Sequence, residues 1–248
     1  MKKKTFKKPS SLSIVIPFYN EKPRLHLAFD NIRIFLKKNF VPKIEILFID
    51  DGSTDKGNEL IKKYFKKFKK NKKVTFRLIK SKKNIGKGYA IKKGCLEAKN
   101  DWILTSDIDF SVPLNHTIIW FKKNFINSKI SVYFGSRALD ASQVKSSQFR
   151  LFIGRVFRIL IIFFLNIRIK DTQCGFKLYK SIAAKKIFRK LKMYGFDHDL
   201  EIVIISKKLN YKILELPVKW HHVNQSKLNI IKDSFKMFLG ILRLTFKK

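Results

Sequence analysis

An alternation restricts the fold of this sequence more than any other feature. Short β-branched runs at Leu12 to Ile16, Ile44 to Ile49, Val74 to Ile79 and Trp102 to Thr105 are separated by helical patterns at Pro23 to Lys38, Thr54 to Phe68 and Gly86 to Ala98. Alternation of this kind argues for βαβ units and a mostly parallel sheet flanked by helices, an α/β fold. A further strand, Ser131 to Gly135, follows a segment starting at Pro113, where proline suits the first turn of a helix. The second half is less regular. Its pattern predicts a helix from Ser147 to Asn166, a loop and strand from Asp171 to Tyr179, a helix from Ser181, another from Asp197 to Lys207, a strand from Tyr211 to Val218 and a final helix from Leu228. A chain of 248 residues has room for one substantial domain. The division expected is a basic tail over residues 1–10, the α/β domain over 11–227 and an amphipathic C-terminal helix over 228–248.

Charge narrows the partners. Lys and Arg number 55 against 18 Asp and Glu, a net +37, which implies attraction to nucleic acid, an anionic membrane surface or phosphorylated substrates. Single lysine runs such as Lys62-Lys63 read as solvated faces. Nucleic acid is disfavoured because aromatics such as Phe163-Phe164 and Phe235 with Phe238 sit in apolar patterns, not interleaved with lysines as stacking platforms. Cys95 and Cys174 form no CxxC pair, so neither a disulfide framework nor a zinc site is expected. The basic start runs into Pro9-Ser10-Ser11 without an apolar h-region, so no signal peptide is expected. The longest uncharged apolar run, Ile159 to Ile167, is well short of the roughly 20 residues that span a bilayer, so no spanning helix is expected either.

With so few acids, their positions carry information. Glu21 follows the first strand, Asp50 and Asp51 end the second, and Asp107 and Asp109 follow the fourth. Ligands of open α/β sheets bind beyond the carboxyl ends of the strands, so these groups are expected to converge on one site. Asp107-Ile108-Asp109 places two carboxylates on the same side of an extended strand end. Mg²⁺ or Mn²⁺ typically takes one or two such carboxylates together with water and substrate phosphates. Neither GxxxxGKS/T nor a GxGxxG after a strand occurs, which removes the usual support for P-loop and dinucleotide-binding readings. Gly86-Lys87-Gly88 reads either as a helix-starting turn or as a phosphate or base contact through Lys87.

Taken in order, Ile14-Val15-Ile16-Pro17-Phe18-Tyr19-Asn20-Glu21, Ile49-Asp50-Asp51-Gly52-Ser53-Thr54-Asp55, Asn84-Ile85-Gly86-Lys87-Gly88 and Asp107-Ile108-Asp109 resemble the family 2 glycosyltransferases of GT-A fold. Three later segments are similar to the polyprenyl-phosphate branch of that family. They are Asp171-Thr172-Gln173-Cys174-Gly175-Phe176-Lys177-Leu178, Phe196-Asp197-His198-Asp199-Leu200-Glu201, and Val218-Lys219-Trp220 with Ser226-Lys227-Leu228. The resemblance implies an inverting transfer from a nucleotide-sugar donor, UDP-glucose before GDP-mannose, to a polyprenyl-phosphate lipid; a different family 2 acceptor is the alternative. It implies that Pro17, Tyr19 and Glu21 hold the nucleoside, that Asp51 reads the uracil edge, and that Lys227 closes over the nucleotide phosphates, while Lys87 stands beside them as the nucleotide-site candidate read from the residues alone. Asp107 and Asp109 match the metal and diphosphate motif, and Arg137 and Arg150 match residues near the lipid phosphate. Asp171 is the candidate base or orienting group beside the acceptor. Two departures stand out: Gln225 replaces the glycine usual before the final Ser-Lys, and the N-terminal anchor of eukaryotic members is not seen.

A lipid acceptor implies a membrane, and the sequence predicts peripheral attachment on its cytoplasmic face. From Asn229 to Lys247 the polar positions fall in an arc of roughly 100°, leaving a wide apolar arc that includes Phe235, Phe238, Ile241 and Leu242. The first half of the segment from Ser147 sets Arg150, Arg155 and Arg158 apart from Phe152, Ile153, Val156 and Phe157. Basic residues beside an inserted apolar face suit anionic lipid.

Overall fold

The computed structural model describes residues 8–68, 71–145, 148–195, 197–221 and 239–245. The first strand, β1 (Ser11–Phe18), is buried along its whole length, as expected for a strand covered on both faces of a parallel sheet. A short 3₁₀ turn at Lys22–Arg24 leads into α1 (Leu25–Lys37), followed by β2 (Lys43–Asp50), α2 (Gly57–Lys66), β3 (Val74–Lys80), α3 (Lys87–Glu97) and β4 (Trp102–Thr105). The order β3-β2-β1-β4 is parallel throughout, which confirms the βαβ reading of the first half.

The second half follows with α4 (Asn115–Lys122), β5 (Val132–Ser136), β6 (Gln143–Lys145), α5 (Gln148–Leu165), β7 (Lys177–Lys180), α6 (Ser181–Lys190), α7 (His198–Lys208), β8 (Ile213–Pro217) and β9 (Lys219–His221). It completes a seven-stranded sheet of order β3-β2-β1-β4-β7-β5-β8. Here β7 runs antiparallel to both β4 and β5, while β8 is parallel to β5, so β7 is the one reversed strand of the seven. A separate ribbon of two short strands, β6 with β9, was not expected from the sequence.

Strand alternation divides the core between the two faces. Leu12, Ile14 and Ile16 pack with α1, α2 and α4 through residues such as Phe35, Ile61 and Trp120. Val15, Leu47 and Ile49 face the other way, toward α3, α6 and α7, with Ala90, Ile187 and Leu200. α5 joins this second cluster through Ile161, with Leu160, Phe164 and Leu165 half-buried, while Ile159 and Phe163 are 65% and 80% exposed. The C-terminal helical segment at 239–245 packs Ile241 into the same cluster, with Leu244 half-buried beside it, so part of the apolar arc read from the sequence serves the core. The rest of that arc, including Phe235 and Phe238, lies outside the described residues. Among the described residues no helix is long and apolar enough to cross a membrane.

Candidate active site

Because six strands run one way and β7 the other, one edge of the sheet collects the carboxyl ends of β1, β2, β4, β5 and β8 together with the loop that leads into β7. Pro17 is buried in β1; beyond that strand come Tyr19, 42% exposed, and the buried Glu21. Asp51 follows β2, Asp107 and Asp109 follow β4, and Arg137 follows β5. Asp171 lies on the loop before β7. Lys87 opens α3, whose cap Gly86 has φ +133°, a conformation that favours glycine.

The two carboxylates of the Asp107-Ile108-Asp109 motif meet different partners. The Lys87 ammonium sits 2.6 Å from Asp107 Oδ1. Burial pushes the Asp107 carboxyl up, but Lys87, Lys177 and Arg137 more than offset this and hold it below the usual carboxylate range. Asp109 Oδ1 accepts the Ser111 N–H at 3.0 Å, and Arg24 Nη1 lies 3.8 Å from Asp109 Oδ2. Burial and the charge of Asp107 raise the Asp109 carboxyl above its ordinary value. The β7 loop comes so close that a Cβ at Gly175 would collide with the Asp107 carboxylate, so only glycine allows this approach.

On the β1–β2 side, Glu21 makes a two-pronged ion pair with Arg24, whose charge also faces Asp109. Asp51 accepts the N–H groups of Ile85 and Gly86 with both oxygens and so ties the β2 end to the start of α3. Burial raises its carboxyl despite these bonds. Asp50, which the sequence also placed at the site, turns back into its own loop, accepting from Ser53 N and Asn58 Nδ2 at 2.8 and 2.6 Å.

On the β5–β7 side, Asp171 Oδ2 accepts from Arg137 Nε at 2.7 Å and from the Arg137 main-chain N–H at 2.9 Å. Its Oδ1 accepts from Arg137 Nη2 at 2.9 Å and from the N–H groups of Gln173 and Cys174 at 3.2 Å each. Burial raises the carboxyl, but Arg137 outweighs burial and keeps it below the usual range. A carboxylate held ionised with both oxygens engaged orients its partner better than it accepts a proton. The Arg137 guanidinium also lies over the Trp220 ring, 5.9 Å from its centroid. Asp107, Ser111, Arg137, Gln173, Cys174 and Trp220 line one small cavity between the two sides.

Behind it lies a charged group that sequence reasoning passed over. Lys177, only 2% exposed on β7, is 2.5 Å from Asp199 Oδ1, and His198 Nε2 is 3.3 Å from the same oxygen. Burial lowers the His198 imidazole below its ordinary value, more strongly than Asp199 raises it. Asp199 reads in sequence as a charge at the start of a helix, and nothing in the sequence singles out Arg24. The signal that would have found Lys177 is a lysine set between apolar residues in the run Phe176 to Tyr179. Arg150 belongs to α5, its side chain outside the described part, and Lys227 lies outside the described residues.

The chemistry of the donor set fits a divalent ion. Among the described residues no cluster of three or more Asp, Glu, His or Cys forms a complete protein cage. Two carboxylates that repel each other, one of them lining the cavity, suit an ion that takes its remaining ligands from phosphate and water.

A mostly parallel sheet with one reversed strand and an Asp-x-Asp pair beyond β4 is the arrangement that the resemblance to GT-A glycosyltransferases implies. The sequence signature of Glycosyl transferase family 2 matches residues 13–188. The chain is 34% identical to the dolichyl-phosphate beta-glucosyltransferase of Saccharomyces cerevisiae (strain ATCC 204508 / S288c), over 95% of this chain and 75% of that protein. It is 31% identical to the Homo sapiens protein of the same name, over 88% and 69% respectively. Among solved structures it resembles glucosyl-3-phosphoglycerate synthase from Mycobacterium tuberculosis in complex with Mn²⁺, UDP and glucosyl-3-phosphoglycerate, with a TM-score of 0.67 at 15% identity over 94% of this chain and 79% of that one. A mannosyltransferase from Pyrobaculum calidifontis in complex with GDP-Man and Mn²⁺ gives a TM-score of 0.64 at 14% identity, over 99% and 68%. The chain belongs to glycosyl transferase family 2 and is a glycosyltransferase.

Proposed function

We propose that this chain transfers glucose from UDP-glucose to a polyprenyl phosphate, giving a β-linked lipid-phosphate sugar. The observation that carries this reading is the shared cavity, where Asp107 stands on one wall and the Asp171-held Arg137 on another. One wall suits a diphosphate with its cation, and the other an incoming phosphate. The names of the yeast and human relatives support both the sugar and the lipid acceptor.

In this reading Pro17, Tyr19, Glu21 and Asp51 hold the nucleoside, while Lys87 and Lys227 contact its phosphates. Asp107 and Asp109 would hold Mg²⁺ or Mn²⁺, and the Mn²⁺ in both structural neighbours supports a divalent ion. When bound, the ion supplies positive charge to the leaving diphosphate. Arg137 and Arg150 receive the acceptor phosphate, which by analogy with phosphate monoesters has a second pKa of about 6 and is largely dianionic at neutral pH. Such an oxygen attacks the anomeric carbon without a strong base: its bond to carbon forms as the bond from carbon to the diphosphate oxygen breaks, and the anomeric centre inverts. Arg137 contributes by fixing the attacking group in line, and Asp171 by holding Arg137 rather than by taking a proton.

A lipid acceptor also implies work at a membrane surface, on its cytoplasmic face in this reading. α5 presents Val156, Ile159, Ile162 and Phe163 to solvent, and the chain carries +37, a pairing that supports peripheral docking on anionic lipid. The test of the reaction is direct. Purified protein is offered UDP-glucose, other UDP-sugars and GDP-mannose with polyprenyl phosphate and Mg²⁺ or Mn²⁺, and the lipid product is identified by mass and anomeric coupling. A β-glucosyl phosphate product formed only with divalent metal is expected. A product formed only from GDP-mannose, or glucose transferred only to a soluble acceptor, overturns the proposal.

A further inference from the structure

Glu215 lies on β8, opposite Phe134 of β5 in the ladder. Its Oε2 accepts the Lys170 N–H and its Oε1 the Asp171 N–H, each at 2.9 Å. Two consecutive N–H groups turned toward one acceptor make an anion-binding concavity of main chain, and the Glu215 carboxylate fills it from the sheet. The residue fixed in this way is Asp171, whose own carboxylate then takes three hydrogen bonds from Arg137. Neighbouring parallel strands therefore grip the β7 loop from two sides. The end of β5 does so through Arg137, and β8 does so through Glu215.

We infer that Glu215 is a positioning residue for the acceptor side of the reaction: by anchoring the main chain at 170–171 it fixes Asp171, and through Asp171 it aims the Arg137 guanidinium. The inference rests on the proposed role of Arg137 toward a lipid phosphate. Glutamate is the side chain this job requires. It offers an acceptor to each N–H, whereas glutamine offers one carbonyl oxygen and turns an NH₂ donor on the second N–H. Losing one charge-assisted bond loosens the main chain at 170–171, and with it the aim of Arg137, without disturbing the β1–β4 side, where no described bond of Glu215 reaches.

Steady-state kinetics with polyprenyl phosphate and UDP-glucose, alongside calorimetry with UDP, test it. Glu215→Gln is expected to raise the acceptor KM about tenfold while leaving UDP affinity within about twofold. Because both residues act through one route, adding Glu215→Gln to Asp171→Asn should cost no more than about twofold beyond Asp171→Asn alone. Equal loss of donor and acceptor affinity, or effects that multiply in the double variant, overturn the inference. If Glu215→Gln folds poorly, Glu215→Asp, which keeps the charge on a shorter arm, is measured in its place. The Arg137 Nε–H resonance gives a readout independent of the reaction, and it should shift in either variant. An unchanged resonance refutes the clamp. A wild-type protein that uses no polyprenyl phosphate refutes the proposed reaction instead and leaves the resonance test standing.

Discussion

On the side of the sheet edge built by β1, β2 and β4, each carboxylate arrives from its own strand: Asp51 stands one residue beyond β2 and Asp107 two beyond β4. On the side built by β5, β7 and β8 nothing arrives alone. Arg137 is held by Asp171 from 34 residues away, and the Asp171 main chain is held by Glu215 from 44 residues further on. The carboxylates of the first side are placed by the strand ends that carry them and only then reach the start of α3 through Asp51 and Lys87, whereas the second side is placed by a chain of tertiary contacts around one reversed strand. The two sides should fail differently when cut.

The largest effect is expected on the first side. Asp109→Asn should lower transfer by about 10²–10³-fold, the range seen when a group stabilising transition-state charge is removed. Its melting temperature should stay near wild type, since the described structural duty of Asp109 is confined to its bonds with Ser111 and a distant Arg24. Activity and metal response unchanged from wild type would remove the Asp-x-Asp pair from the site.

Asp171→Asn should show a smaller and mixed effect, with acceptor kcat/KM down roughly ten- to a hundredfold and stability down by about 2–3 kcal/mol, the cost of breaking a buried pair discounted for the partial exposure of Arg137. An orienting role leaves the shape of the pH–rate profile unchanged; a profile that loses its acid limb would restore the base reading and erase the contrast between the sides. Acid unfolding sharpens the point. The folded Asp171 carboxyl titrates below its usual range, so its contribution is complete above the unfolded carboxylate value of about 3.9 and is lost as pH falls through the lower folded value. Wild type should therefore lose more stability than Asp171→Asn below about pH 4.

The smallest effect is expected at α5, on neither side of the edge. Phe163→Glu with Ile159→Glu should weaken flotation with anionic vesicles by about tenfold or less, because basic residues remain to attract the surface, and the remaining binding should fall with salt. Transfer to a short, detergent-dispersed acceptor should be unaffected. Undiminished flotation at low salt would show that this exposed face does not dock on lipid.

The same contrast explains what was legible in the sequence. Four parallel strands and their acids could be read because hydrophobic period and strand-end position are local properties: Leu12, Ile14 and Ile16 alternate with Ser13 and Val15, and Asp107 follows the apolar Trp102 to Thr105. Strand direction is not written in that period, so the reversal of β7 was invisible, and so was the partner on α7, Asp199, that neutralises Lys177. Residues 143–145 and 219–221 are too short to show any period, and their pairing depends on contacts over a long sequence separation. Asp50 was misplaced because a strand-end position does not reveal which way a side chain turns; Ser53 and Asn58 claimed it. Asp171 was read as a base or orienting candidate beside the acceptor, and its bonds to Arg137 appear only when β5 and the β7 loop are brought together.

The loop before β7 is fastened at nearly every residue. Lys170 and Asp171 donate to Glu215, Gln173 and Cys174 donate to Asp171, the Gly175 carbonyl accepts from Thr105 Oγ1, and the Phe176 carbonyl accepts from Gly135 N. A segment stitched so closely has no slack, so its length is effectively quantised. An added residue must either unfasten the stitches or slip β7 by one place, which would exchange its two buried faces and drive the Lys177 ammonium into the apolar cluster where Phe176 and Leu178 now pack with Trp120. Descendants of such a chain can diversify what they accept at this wall by exchanging side chains in place, whereas lengthening the loop is closed to them.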